Sequence, residues 1–214
     1  MKKILITRKL IKSSEELATQ LFNVKINKDD KIFTKEELLK ESEGCDGILS
    51  SITEKFDSNL ISKLPKTIKI ISNFAVGFGN IDIEAAKKKN IVVTNTPDVL
   101  TDATAEIAIL ILLGAARRAK EGIQWANKKN WNWSADFLMG KQLTGARLGI
   151  LGMGRIGRAV ADRARAFGMK IHYFNRSRLN KNLEKDAIYH KSLESLLSVS
   201  DFFSINCPAT KETK

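Results

Sequence analysis

The sequence predicts an α/β protein made of two parallel-sheet units with helices on both faces, and three observations predict it. Short apolar runs alternate with helical stretches over residues 3–94, the pattern of parallel strands joined by crossover helices. Thr96, Pro97 and Asp98 then break the alternation, and Pro97 closes the first unit. Beyond a long apolar helical stretch, Gly152, Gly154 and Gly157 set a G-x-G-x-x-G spacing between a strand-like run and a helical run. The 214 residues, 43% hydrophobic, suffice for two small cores. The boundaries read as 1–98 and 99–214.

The first unit follows in order. Residues 3–7 are apolar and extended, a first strand. Residues 14–21 are helical, with Ser13 or Ser14 as cap. Residues 24–26 form a weak strand. In 34–42, Thr34 with Glu37 three residues on makes a capping box. Residues 47–50 are a strand ending in Ser50 and Ser51. Residues 57–63 are helical, 68–72 a strand, 73–80 a loop holding Gly77 and Gly79, 83–89 a helix and 91–94 a strand. Ligands of such a sheet lie at the carboxyl ends of its strands, where Ser50, Ser51 and the 73–80 loop fall.

In the second unit one long helix is expected over 101–120. Apolar residues, among them Ile107, Leu110 and Ile111, nearly surround it, which predicts burial. Residues 122–139 carry Trp125, Trp131, Trp133 and Phe137, read as an arm that packs on a partner subunit. Residues 148–151 are a strand, 158–167 a helix rich in Ala, and 170–174 a second strand. A short strand at 187–189, a helix at 192–197 capped by Ser192 and a strand at 201–206 complete the pattern.

The glycine spacing carries the chemistry. Gly152 allows the tight turn out of the strand, Gly154 lets backbone approach a pyrophosphate, and Gly157 lets the helix pack on the sheet. Exposed N–H groups and the helix dipole suit a diphosphate. The end of the next strand normally carries an Asp or Glu that accepts from the ribose 2′-hydroxyl. Here it reads Asn175, Arg176, Ser177, Arg178. With no carboxylate there and two guanidiniums to hold a 2′-phosphate, NADP is the expected cofactor, with NAD possible.

Net charge is +12, but the lysines are dispersed without interleaved aromatics, so no nucleic-acid partner is expected. No run reaches membrane-spanning length. Two separated cysteines, Cys45 and Cys207, fit a reducing compartment and argue against a disulfide framework or a metal site. A cytoplasmic protein is expected.

Segments 71–82, 93–106, 116–118, 148–157 and 204–208 together resemble the D-isomer-specific 2-hydroxyacid dehydrogenases, nearest the glyoxylate/hydroxypyruvate reductase branch. The resemblance spans the chain but only about two-thirds of the family's length. It implies two Rossmann-like domains: a flavodoxin-like substrate domain over 1–98 and an NAD(P)-binding domain over 99–214, incomplete at its C-terminus. It implies a reaction in which a small 2-keto acid, glyoxylate or hydroxypyruvate, is reduced to the D-2-hydroxy acid by hydride transfer. Under it, the N–H groups of Val76 and Gly77 hold the substrate carboxylate; from the residues themselves, Ser50 and Ser51 suggest a small polar substrate pocket, with Ser51 taken as substrate-binding. Thr104 lies near the nicotinamide, Gly154, Arg155 and Ile156 meet the pyrophosphate, and Arg176, Ser177 and Arg178 match an NADP-binding loop. Cys207 and Pro208 border the adenosine part. Gly79 departs from the family pattern, where a polar residue is usual.

The family's catalytic Arg, Glu and His fall beyond residue 214, so no catalytic residue is assigned in this chain. His172 and His190 lie outside the family's His motif and read as structural. By itself the chain is expected to be inactive. The partners implied are a small 2-keto or 2-hydroxy acid and a second copy, a homodimer formed through region 99–145. The rival readings are a non-catalytic dinucleotide sensor and a dimerisation subunit.

Overall fold

In a computed structural model the described residues are 1–128, 133–210 and 213. The chain divides into two units, Met1–Val99 and Leu100–Lys214.

The first unit contains β1 (Lys3–Ile6), α1 (Lys12–Leu21), β2 (Asn23–Ile26), α2 (Lys35–Glu41) and β3 (Gly47–Ser51). α3 (Ser58–Lys63), β4 (Ile70–Phe74), α4 (Ile83–Lys88) and β5 (Val92–Thr94) follow. The five strands run parallel in the order β2-β1-β3-β4-β5. Leu5, Ile48 and Ile71 from the central strands meet Leu60, Ile61 and Ala86 from the helices in one core. Thr34 makes the capping box foreseen for α2, its hydroxyl accepting from the Glu37 N–H while the Glu37 carboxylate accepts from the Thr34 N–H.

Two starts in this unit differ from expectation by two residues. α1 starts at Lys12, ahead of both serines; Ile11 is its N-cap, without a side-chain bond, and Glu15 instead accepts from the Leu10 N–H. The fourth strand begins at Ile70, because Ile68 is tucked into a turn as a core residue, 2% exposed. The shift brings Asn73 into the strand, opposite Ser50.

The second unit contains α5 (Thr101–Ala116), α6 (Ala119–Ala126), β6 (Arg147–Leu151), α7 (Arg155–Ala166) and β7 (Lys170–Phe174). α8 (Lys181–Glu184), β8 (Ile188–Tyr189), α9 (Leu193–Val199) and β9 (Phe202–Ile205) complete it. The parallel sheet has the order β8-β7-β6-β9. α5 lies on α7, where Arg163 of α7 donates to Asp102 at 3.0 Å and Glu106 at 3.3 Å. Leu148, Ile150, Val160, Ala161, Ala164 and Tyr173 fill the core beneath.

The expected long helix is two. Arg118 adopts a left-handed conformation (φ 52°), and its guanidinium pairs with Glu121, so the chain breaks after Ala116 and restarts. The expected burial of the first of these helices also fails. Ala105, Ile109 and Ala116 are covered, but Ile107, Leu110 and Ile111 are 55%, 63% and 65% exposed. Of the arm, Trp125 and Phe137 stack edge to face at 5.4 Å, Trp133 is exposed, and Trp131 lies outside the described residues. Among the described residues no helix is long and apolar enough to cross a membrane.

Candidate functional site

The first sheet reverses its winding between β1 and β3, so the loops leaving those strands diverge and open a crevice at their carboxyl ends. Arg8 sits there, bonded to Asp30 at 2.8 Å and to the Thr53 hydroxyl at 2.9 Å. The Arg8 bond and the Lys9 N–H hold the Asp30 carboxyl down to about 2. The sequence reading passed over this pair, because no motif surrounds Arg8.

Ser50 is buried and bonded to Asn73, which removes it from the small polar pocket suggested for it. Ser51 remains partly accessible, its hydroxyl donating to Glu54 at 3.1 Å. The 73–80 loop is clamped from inside. Asn73 donates to the Gly77 carbonyl at 3.0 Å and Asn80 to the carbonyls of Ser51 and Glu54. Asn95 donates to the Val76 carbonyl at 2.8 Å. The carbonyls of Val76 and Gly77 are thus both held, while their N–H groups make no hydrogen bond among the described residues. That is the arrangement needed to receive a carboxylate. A Cβ at Gly79 would meet nothing within 4 Å, so this departure from the family pattern opens space rather than distorting the loop.

The second sheet reverses at β6, flanked by β7 on one side and β9 on the other. Gly152 leaves β6 with φ 92°, and a Cβ there would lie 2.7 Å from the Cys207 backbone N. The turn therefore abuts the loop that carries Cys207 and Pro208. At Gly157 a Cβ would lie 2.3 Å from the Gly152 carbonyl oxygen, so the first turn of α7 presses against the strand end. At Gly154 the same construction meets nothing within 4 Å, and Gly154 is the N-cap of α7 with no side chain capping the helix. Arg155 and Ile156 occupy the first turn, which begins three residues earlier than the composition suggested. Exposed backbone with open space around it, at the uncapped start of a twelve-residue helix, suits the pyrophosphate of a dinucleotide. Thr104 is exposed in the second turn of α5.

Asn175 directly follows β7 and accepts from the Met153 N–H at 2.6 Å, tying the end of that strand to the glycine turn. Arg176 and Ser177 are exposed. The expectation of two uncommitted guanidiniums with no carboxylate beside them needs correction. Arg178 grips Glu184, with Nε 2.9 Å from Oε1 and Nη2 2.9 Å from Oε2. Glu184 is 4% exposed, and Tyr173 donates to it at 2.8 Å. Arg178 and then Tyr173 hold its carboxyl below the ordinary range. Sequence reading missed Glu184 because it falls in the charged 176–186 stretch, where α8 had no periodic signal.

His172 and His190 do meet, Nδ1 to Nε2 at 2.9 Å, and His190 reaches the Ser195 hydroxyl at 2.8 Å. Burial, followed by the neighbouring His190, lowers the His172 pKa, so His172 favours its neutral form. Cys45 and Cys207 are both free thiols. Among the described residues no group of three His, Cys, Asp or Glu is placed to hold a metal ion.

Comparison with known proteins accords with this geometry. Residues 109–214 match the family described as D-isomer specific 2-hydroxyacid dehydrogenase, NAD binding domain. Over 100% of its length the chain is 42% identical to glycerate dehydrogenase of Hyphomicrobium methylovorum, of which it covers 67%. The chain belongs to this family. It is also 40% identical, over 99% of its length, to glyoxylate reductase of Thermococcus litoralis, covering 65% of that protein. A crystal structure of a glyoxylate reductase from Paecilomyes thermophila superposes with a TM-score of 0.81 at 34% identity, over 99% of this chain and 66% of that one. The chain thus spans about two-thirds of the length of these dehydrogenases. Membership fixes the β6–α7 turn as part of a nicotinamide-dinucleotide domain.

Proposed function

We propose that this chain is the substrate-binding and dinucleotide-binding part of an NADPH-preferring reductase of small 2-keto acids, glyoxylate or hydroxypyruvate. The observation that carries the reading is the open space at Gly154, at the uncapped start of α7, beside a strand end followed by Arg176 and Arg178 in place of an acidic residue. Bound there, a reduced nicotinamide dinucleotide supplies the hydride. The chain's own residues do the rest of the binding: Gly154, Arg155 and Ile156 at the pyrophosphate, Asn175 to Arg178 at the ribose and its 2′-phosphate, Cys207 and Pro208 at the adenosine, Thr104 near the nicotinamide. Val76 and Gly77 present N–H groups to the substrate carboxylate, and Ser51 adds a hydroxyl.

The Arg, Glu and His that orient and protonate the substrate in the family are not among these 214 residues. The polypeptide by itself therefore binds nucleotide without turnover. The test is titration with NADPH and NADH, followed by addition of glyoxylate or hydroxypyruvate. Tighter binding of NADPH with no oxidation of it is the expected result. Equal or tighter binding of NADH overturns the cofactor preference, and enzymatic oxidation of NADPH overturns the division of labour. The apolar stripe of Ile107, Leu110 and Ile111 on α5 supports homodimer formation through region 99–145.

A further inference from the structure

The cluster behind Arg178 has no role in the reading above. Glu184 is 4% exposed, yet it carries a carboxylate inside the fold. Tyr173, wholly buried in β7, donates to its Oε1 at 2.8 Å and in turn accepts from the Leu179 N–H at 3.1 Å. The Tyr189 ring stands 5.3 Å from that of Tyr173 and 5.8 Å from the Arg178 guanidinium carbon. These contacts fix one edge of the guanidinium. Nε and Nη2 both donate to Glu184, whereas Nη1 has no partner among the described residues, and the side chain is still 62% exposed.

A guanidinium offers more than one donor edge, and gripping the Nε–Nη2 edge leaves the Nη1–Nη2 edge facing outward. An exposed arginine ordinarily loses considerable rotamer freedom when a ligand immobilises it. Arg178 is already held. It is held on the loop that leaves Asn175, which is itself bonded to the glycine turn. Direct opposition between Glu184 and an incoming phosphate is limited, because the carboxylate lies behind the guanidinium and its charge is matched there.

We propose that Glu184, braced by Tyr173, is a positioning residue that presents the outer edge of Arg178 to the 2′-phosphate and so helps set the preference for NADPH over NADH. The proposal rests on the NADPH reading of the same site. It makes Glu184 a specificity determinant that never touches the cofactor.

The test is the ratio of NADH to NADPH dissociation constants, measured on the 214-residue chain by fluorescence titration. NADH lacks the phosphate, so its affinity reports an intact fold. Glu184→Gln should weaken NADPH about three- to ten-fold and leave NADH unchanged, the loss expected when a pre-ordered side chain becomes free. Tyr173→Phe should act in the same direction, more weakly. Arg178→Gln should weaken NADPH more than either, and in that background Glu184→Gln should add nothing. A wild-type ratio in Glu184→Gln overturns the proposal, as does tighter NADPH binding or equal loss of both nucleotides by a folded variant. If Glu184→Gln does not fold, Tyr173→Phe decides: a lowered ratio supports the brace and an unchanged ratio overturns it. A wild-type chain indifferent to the 2′-phosphate overturns this proposal and the cofactor reading together. A wild-type preference that survives both variants overturns the brace alone.

Discussion

A single amide oxygen joins the end of β7 to the glycine turn. Asn175 Oδ1 accepts from the Met153 N–H, one residue past the turning Gly152. Asn175→Asp keeps the acceptor and adds a charge where the proposed site places the ribose 2′ position. It should shift the affinity ratio toward NADH by at least about ten-fold, since a carboxylate accepts from a 2′-hydroxyl and repels a 2′-phosphate. Competitive titration with the two nucleotides measures this. In the first unit, Asp30 gives a pH prediction. Its folded pKa is about 2, below the ordinary value of about 3.9. The stability it contributes is present above the ordinary value and is lost as pH falls toward 2. Urea midpoints between pH 5 and about 2 should fall, and Asp30→Asn should flatten that fall; an identical slope in the variant would refute the assignment. At this scale the sequence reading was uneven. Asn175 and Arg176 were singled out because a motif numbers the positions after it. Glu184, Arg8 and the Asn73–Asn80 clamp were not, since their partners lie on other elements and no spacing announces them.

Among the elements, the β6–α7 turn holds two glycines with opposite surroundings. Gly157 has no room for a side chain, whereas Gly154 does. Gly157→Ala should cost about 1–3 kcal/mol of stability, seen in thermal melts, because a methyl must displace backbone. Gly154→Ala should melt like the wild type while losing nucleotide affinity. Helix starts governed by local pairs were legible, as with Thr34 and Glu37 or Ser192, whose hydroxyl accepts from the Ser195 N–H. The break after Ala116 was not, because it depends on a left-handed Arg118 held by Glu121, a conformation that composition does not signal. Parallel pairing was legible from the alternation, but not the strand orders with their reversals at β1 and β6.

For the whole molecule, the exposed stripe on α5 is the feature that composition misread. An all-round apolar helix is ordinarily buried. Here the i, i+3, i+4 stripe of Ile107, Leu110 and Ile111 faces outward, opposite the side that covers α7. Read as a homodimer surface, it predicts that Leu110→Asp lowers the sedimentation coefficient to that of a monomer; a wild type that is already monomeric contradicts the reading. The two-unit division was legible at Pro97, since a proline after a strand closes the alternation.

The measurement that tests the account most directly is the binding of NADPH to the wild-type chain and to Gly154→Ala, followed by the quenching or enhancement of nicotinamide fluorescence. The account predicts saturable binding at one site per chain, lost in a variant whose melting temperature is unchanged. Absence of binding to the wild type, or equal binding to both proteins, would contradict the placement of the cofactor at the start of α7.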